Sequence, residues 1–381
     1  MIYLDNAASS FPKPPEVINA MMECMKEYAG NPGRGSHALA NQAARVIFQA
    51  RQEIAKLFGI AHAEDVIFTQ NTTESLNLAI QGFLKPGDHV ITTMLEHNSV
   101  RRPLEYMKRK YQIEITYVSV DSKGLMNPQD IYSALKGNTK MIVASHASNL
   151  TGSIIDLHSI GEFAGKHGIC FLVDAAQTAG VLDIDVHEMN IQMLAAPGHK
   201  SLYGPQGTGF LYVHPSIELE PLMYGGTGGN SESIDQPKVR PDRYESGTRN
   251  TVGIAGLLAG IQFIQKKGIA NIRDHELQLT RKILHGLNQY ERIKILGPDQ
   301  LSLRAPVVSF VIDGLDSTEL GFILDKYYQI AVRTGLHCTP LAHKASGSSD
   351  TGAARVSVGF FNTEEEIDIF LYAISEILKE M

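Results

Sequence analysis

Through the first half of the chain, short apolar and often β-branched runs alternate with stretches whose apolar residues recur at helical spacing. "DVIFT", "HVITT", "EITYVSV", "TKMIVAS", "GICFLVD" and "IQMLAA" carry the strand pattern. "TESLNLAIQGFL" and "LHSIGEFAGKHG" carry the helical one. Buried strands separated by helices predict a largely parallel sheet covered on both faces, an α/β fold. Beyond about residue 250 the pattern changes. Helical stretches from Thr251 to Lys267 and through Arg273 to Tyr290 precede "VVSFVID", a further helix, "IAVRTG" and a C-terminal helix from Thr363. The change predicts a large domain over 15–250 and a smaller α+β domain built from 1–14 and 251–381. The N-terminal helix at Pro14 to Tyr28 fits either, and no internal repeat breaks the division.

Composition narrows the function. With 381 residues, 43% hydrophobic and 20% charged, there is ample material for a buried core. Net charge is -7 with both signs mixed along the chain, so the basic stripe that a nucleic acid demands is missing. No apolar run approaches the roughly 20 residues that cross a bilayer, and "MIYLDNAASS" lacks the basic and apolar regions of a leader. The expectation is a cytoplasmic protein that engages neither membrane nor nucleic acid. Three cysteines, Cys24, Cys170 and Cys338, form neither a CxxC pair nor an even framework, as suits a reducing compartment.

In a parallel sheet, ligands sit beyond the carboxyl ends of the strands, so the residues that follow each strand are the candidates. "DVIFT" leads to Asn71 and then to Thr72 and Thr73, two threonines that read as either a helix cap or an anion site at a helix start. "HVITT" leads to Glu96, His97 and Asn98, "MIVAS" to His146 and Asn149, and "GICFLV" to Asp174 and Gln177. "IQMLAA" leads to Pro197, Gly198, His199 and Lys200. Taken singly, Asp174 reads as a cap or ion-pair partner, His97 as a loop histidine and Lys200 as a solvated charge. A phosphate loop ending in "GHKS" fails, because His199 precedes the lysine and Met193 stands where the leading glycine belongs. Zinc on His337, Cys338 and His343 lacks a fixed spacing and a fourth ligand, and no metal site is expected. Taken together, an anion site, an acid, a lysine and a histidine on successive loops suit pyridoxal phosphate. That cofactor has a phosphate for a helix start, an aldehyde for an amine, a ring nitrogen for a carboxylate and a face for stacking.

The motifs "YLDNAASS", "TTESLNLA", "EHNS", "SNLTG", "VDAAQTAG", "GHKSLYGPQGTG", "YESGTRNT", "RTGLHC" and "ARVSVGFFNTEEEID" run in order nearly end to end. In these the chain resembles the class V aminotransferase-like enzymes of PLP fold type I. Within them it resembles the cysteine desulfurases, nearer the selenocysteine lyase-like group. The resemblance implies a large domain with a mainly parallel central sheet covered by helices, plus the smaller α+β domain. It implies that Lys200 holds pyridoxal phosphate as a Schiff base, that Asp174 keeps the ring nitrogen protonated, and that Gln177 bonds the phenolic oxygen. His97 would stack on the ring and move protons, and Thr72, Thr73 and His199 would bind the phosphate. Ala7, Asn149 and Arg355 would surround the substrate carboxylate, with Arg333 nearby. Thr248 would be lent to the phosphate site of a partner subunit, making a homodimer with shared sites.

Cys338 decides the reaction that the resemblance implies: a thiolate that takes sulfur from L-cysteine as a persulfide, releases L-alanine and passes the sulfur to an acceptor protein. The alternatives are a selenocysteine lyase or another lyase or aminotransferase of the family, and a non-catalytic PLP-fold binding protein. The chain departs from the family at Pro197, where a serine or threonine commonly precedes "GHK". The loss of that hydroxyl implies weaker cofactor retention. Tyr224 to Arg243 matches only loosely, and its glycine-rich start reads as a mobile loop near the site.

Overall fold

The computed structural model describes residues 1–33, 35–229 and 232–381. Strand β1 (Ile2–Tyr3) and helices α1 (Pro15–Glu27) and α2 (Ala38–Leu57) come first. Next come β2 (Val66–Thr69), α3 (Thr72–Phe83), β3 (His89–Thr93), α4 (Asn98–Tyr111) and β4 (Glu114–Val118). The layer continues through α5 (Pro128–Ser133), β5 (Thr139–Ser145), α6 (Leu157–His167), β6 (Cys170–Asp174), β7 (Met193–Pro197) and β8 (Gly209–Val213). The rest of the chain forms α7 (Thr251–Lys267), α8 (Ile269–Leu287), β9 (Ile293–Leu296), β10 (Val307–Ile312) and α9 (Ser317–Tyr328). It ends with β11 (Ile330–Ala331), β12 (Arg333–Gly335), α10 (Pro340–Ser346), β13 (Ala353–Ser357) and α11 (Glu364–Glu380).

The fold is α/β, with a seven-stranded sheet in the order β2-β8-β7-β6-β5-β3-β4. Only β8 opposes the rest: it is antiparallel to both β2 and β7, and the remaining pairs are parallel. Every residue of β3, β6 and β7 is buried, and β6 and β7 read as nearly continuous apolar runs for that reason. Successive side chains go to opposite faces. Ile91, Phe171 and Phe210 enter the core beneath α2 and α7. Their neighbours Val90, Leu172 and Leu211 enter the core beneath α3 and α4.

The smaller layer is an antiparallel sheet in the order β12-β13-β10-β9, with its own core around Phe310, Phe370 and Leu4. Strand β1 pairs with β11, so the N-terminus joins this layer. Helix α7 instead places Ile254, Leu257 and Ile261 in the core of the large sheet, and α1 packs on α7 through Cys24 and Ala255. The C-terminal helix starts at a reciprocal cap, in which Thr363 accepts from the Glu366 amide and the Glu366 carboxylate from the Thr363 amide. Among the described residues no helix is long and apolar enough to cross a membrane.

One crossing between the layers matters most. The segment after β1 is bonded to β13 by the Ala7 amide, which donates to Ser357 Oγ at 2.9 Å. It then reaches the loop after β7, where Ser10 Oγ donates to the Lys200 carbonyl and Lys13 Nζ to the His199 carbonyl, each at 2.8 Å. The loop carrying Lys200 is therefore braced by the segment that follows β1.

Candidate active site

Beyond the carboxyl ends of β2, β3, β5, β6 and β7 lies a cavity of about 220 Å³. Lys200 forms its floor on the loop that leaves β7. Gly198 lets this loop turn tightly, because a Cβ there would stand 2.1 Å from Thr208 Oγ1. Asp174, the last residue of β6, faces the same space and accepts from the Ala176 amide at 2.9 Å. Gln177 also lines it and donates to the Ala7 carbonyl at 3.2 Å.

Thr72 and Thr73 open α3 on the cavity wall, but neither is its cap. Asn71 is, with its side chain accepting from the Glu74 amide at 3.0 Å. The capping reading of the two threonines is thereby corrected: with Asn71 in that role the Thr72 hydroxyl has no bonding partner although it is buried. His199 Nδ1 and Arg355 Nε are buried and unpartnered in the same way, and all three residues line the cavity. Buried polar atoms are normally paired, so three unpaired ones converging on one space form a site built for an external polar group. Helix α3 comes close to Pro197 because β8 has glycine at its start. A Cβ on Gly209 would meet Asn71 Cα at 2.9 Å, and Gly209 pairs with Pro197.

His97 is the N-cap of α4. Its Nδ1 accepts from the Ser99 amide at 3.1 Å and lies 2.7 Å from Ser99 Oγ, which assigns the ring proton to Nε2. Burial, followed by the charges of Lys200 and Arg333, pushes its pKa down to about 4, so the ring is neutral at physiological pH. His199 is held near 4 by the same causes, burial and then Lys200. Burial also lowers Lys200 to about 8, against the pull of Asp174 and with Arg355 adding to the drop. Asp174 is raised by burial, opposed by the Ala176 amide and by Lys200. Low dielectric thus drives both members of the pair toward neutrality and gives the lysine an amine that is partly free near neutral pH.

Arg355 lies on β13 and is almost wholly buried. Its Nη2 meets Asp5 Oδ1 at 2.6 Å and its Nη1 the Asn149 carbonyl at 3.1 Å. The Asn149 amide donates to the His337 carbonyl at 2.7 Å. Ala7 and Arg333 complete that wall. Arg333 Nη2 stands 3.9 Å from Cys338 Sγ.

Two expected residues lie outside this cavity. Cys338 is exposed at its mouth and lines an adjoining recess of about 350 Å³ with Thr73 and His97. It and His337 both take positive φ, 59° and 48°, where a non-glycine residue is uncommon. Three bonds hold that backbone: Asn149 and Asn98 donate to the carbonyls of His337 and Cys338, and His337 Nε2 lies 3.0 Å from the Ala353 carbonyl. Thr248 is exposed in a separate recess with Phe48 and Arg249. Of the Tyr224 to Arg243 segment, Asn230 and Ser231 lie outside the described residues, and no described member lines the Lys200 cavity.

Some participants carry no role in the sequence reading. Asp5 sits within "YLDNAASS", but its ion pair with Arg355 spans nearly the whole chain. Glu96 is buried behind the wall and accepts from Thr93 Oγ1 at 2.7 Å and Ser145 Oγ at 2.8 Å, while burial pushes its pKa up to about 7. The signal for Glu96 was its place beside His97 after a strand, and that for Asp5 its motif.

The family model described as aminotransferase class-V matches residues 2–370. A probable cysteine desulfurase of Methanothermobacter thermautotrophicus is 35% identical, over 99% of this chain and 94% of its own. The apo structure of cysteine desulfurase from Thermococcus onnurineus superposes with a TM-score of 0.94 at 35% identity, covering 100% of this chain and 95% of that one. The structure of the cysteine desulfurase CsdA of Escherichia coli, in an S-sulfonic acid form, superposes at 0.90 with 26% identity over 100% and 95%.

Proposed function

The chain belongs to the aminotransferase class-V family, and from that premise we propose that it is a cysteine desulfurase working with pyridoxal phosphate on L-cysteine. The observation that carries the reading is one cavity in which a half-buried lysine faces a buried acid and three unpartnered polar atoms, with a cysteine at its mouth.

Pyridoxal phosphate, when bound, supplies an electron sink for bonds at the substrate α- and β-carbons. Lys200 would hold its aldehyde carbon, Asp174 its ring nitrogen and Gln177 its phenolic oxygen. Thr72, Thr73, the free amides of α3 and His199 would hold its phosphate. Pro197 offers neither hydroxyl nor N–H, which leaves more of that task to Thr72.

The protein's own groups then divide the work. Arg355 and Asn149 orient the substrate carboxylate, and Asp5 fixes the plane of the guanidinium. Lys200 and the neutral His97 are placed to carry protons. The Cys338 thiolate attacks the substrate sulfur and forms an S–S bond as the C–S bond breaks. Alanine leaves, and Cys338 keeps the sulfur as a persulfide for an acceptor. Thr248 completes a phosphate site in a partner subunit, a reading supported by its exposure beside Phe48 and away from its own cavity. A cytoplasmic setting fits the three free cysteines.

The test is product analysis with L-cysteine, L-selenocysteine and L-alanine. Cysteine should yield equal alanine and sulfide in the presence of a thiol reductant. Selenide release with no sulfide would replace the reading by a selenocysteine lyase.

A further inference from the structure

The recess outside Cys338 continues onto the exposed face of α4. The sequence of this helix, "NSVRRPLEYMKRKY", carries Arg101, Arg102, Lys108, Arg109 and Lys110 against the single acid Glu105, in a chain whose net charge is -7. Its apolar residues Val100, Leu104 and Met107 are buried in the core, which turns the basic side outward. Arg102, Tyr106 and Arg109 share one face at helical spacing, about 10 Å from first to last. Arg102 and Tyr106 line the recess together with Cys338. Lys110 Nζ lies 5.3 Å from the centre of the Tyr106 ring and extends the face. Glu105 instead accepts from the Tyr117 hydroxyl at 3.0 Å. The helix is anchored at the nucleophile, since the Asn98 amide donates to the Cys338 carbonyl at 2.8 Å. Among the described residues, a row of cations without acidic partners thus leads away from the one exposed thiol.

We propose that this face of α4 docks an acidic surface of the protein that accepts the sulfur, guiding its thiol into the recess beside Cys338. The proposal rests on the reading of Cys338 as the sulfur carrier. In the transfer the acceptor thiolate attacks the outer sulfur of the Cys338 persulfide. One S–S bond forms, the other breaks, and Cys338 departs as a thiolate, so neither oxidant nor reductant enters. The positive charges on α4 and the negative charges of an acidic partner complement each other in the manner that raises association rates and fades with salt.

The probes are two synthetic peptides of equal length with one cysteine each, flanked in one by four glutamates and in the other by four lysines. Each transfer rate from the persulfidated protein, read by mass, is divided by that peptide's rate with a small persulfide in solution. The glutamate peptide should be preferred by roughly tenfold at low salt, and the preference should shrink toward unity at high salt. In the double variant Arg102→Glu/Arg109→Glu the preference should invert, while alanine formation from cysteine with dithiothreitol stays within about twofold. Equal normalised rates, or a preference that the double variant retains, would overturn the proposal. So would binding of a labelled transfer RNA by the native face with no peptide preference. A protein that makes no alanine from cysteine with dithiothreitol would fail in its desulfurase reading instead, before any acceptor enters.

Discussion

The floor and the mouth of the cavity are built on opposite principles. On the floor, Asp174 at the end of β6 and Arg355 within β13 are buried, Lys200 on its braced loop is half-buried, and polar atoms without partners lie beside them. At the mouth, Cys338 and the basic side of α4 are exposed. A lysine held near 8 and the unpaired Thr72 hydroxyl, His199 Nδ1 and Arg355 Nε cost stability, and cofactor and substrate that meet them would restore it. The mouth carries a different cost, since two successive non-glycine residues with positive φ are strained by roughly 1–2 kcal/mol each. Their hydrogen bonds to Asn98, Asn149 and Ala353 keep that conformation. Chemistry that needs low dielectric is placed inside, and chemistry that must meet another macromolecule is placed outside.

The comparison breaks most sharply at Lys200. Lys200→Ala should reduce turnover to background, and borohydride reduction of protein loaded with pyridoxal phosphate should leave a pyridoxyl mass on the native lysine and none on the variant. Persistence of turnover would remove Lys200 from the floor. Next in size is Cys338→Ser, which touches only the mouth. Cofactor absorbance and its response to cysteine should stay native, while sulfide release falls by on the order of 10³-fold. A variant that loses the cofactor as well would show that mouth and floor are one unit.

The floor was more legible in the sequence than the mouth, and the reason is physical. Strands buried on both faces stand out as apolar runs, and the polar residues directly after β2, β3, β5, β6 and β7 converge once those strands are parallel. Strand β8 was hidden because "GFLYV" continues the glycine-rich lysine loop and read as part of it, although it forms a hairpin with β7. Strand β13 was hidden because the buried Arg355 interrupts the apolar pattern. The Asp5–Arg355 pair depends on β1 lying beside β11, a register with no local period to announce it. The sequence reading puts the cap of α3 on Thr72 or Thr73, and the backbone geometry places it one residue earlier, on Asn71. The recess joining Cys338 to α4 rests on a contact between residues far apart in the chain.

A third effect sharpens the electrostatic side of the contrast. Burial lowers Lys200 to about 8, so its uncharged fraction should fall about tenfold for each pH unit below that value. Capture of pyridoxal phosphate by the cofactor-free protein, followed by absorbance and scaled to a small amine, should rise with pH and level off above about 8. A rise that continues to pH 10 would mean a solvated lysine. Stability carries the same sign. Between about 8 and the ordinary 10.5 the unfolded chain binds the extra proton, so the cofactor-free fold should gain up to about 3 kcal/mol as pH rises through that window. Lys200→Met should flatten the gain.

The smallest effect tests whether the phosphate site is complete within one subunit. Thr248 lies outside its own cavity, so in the dimer reading each phosphate is held across an interface, and cofactor binding and association favour each other by the same free energy. Thr248→Ala removes one charge-assisted hydrogen bond, which predicts a three- to tenfold weaker retention of pyridoxal phosphate, roughly 1 kcal/mol. Retention should suffer more than in a chain with a hydroxyl at 197, because Pro197 supplies none. Lys200→Ala and Thr248→Ala chains are each impaired alone. In a mixed dimer one site receives both lesions and the other neither, so after reversible dissociation at equal amounts about a quarter of all sites should be intact. Activity and bound cofactor should rise to that level above the Lys200→Ala parent, and the recovered sites should retain cofactor as the native protein does. If mass analysis shows mixed dimers and every site still releases cofactor at the Thr248→Ala rate, the threonine serves its own subunit or none, and the floor is complete without a partner.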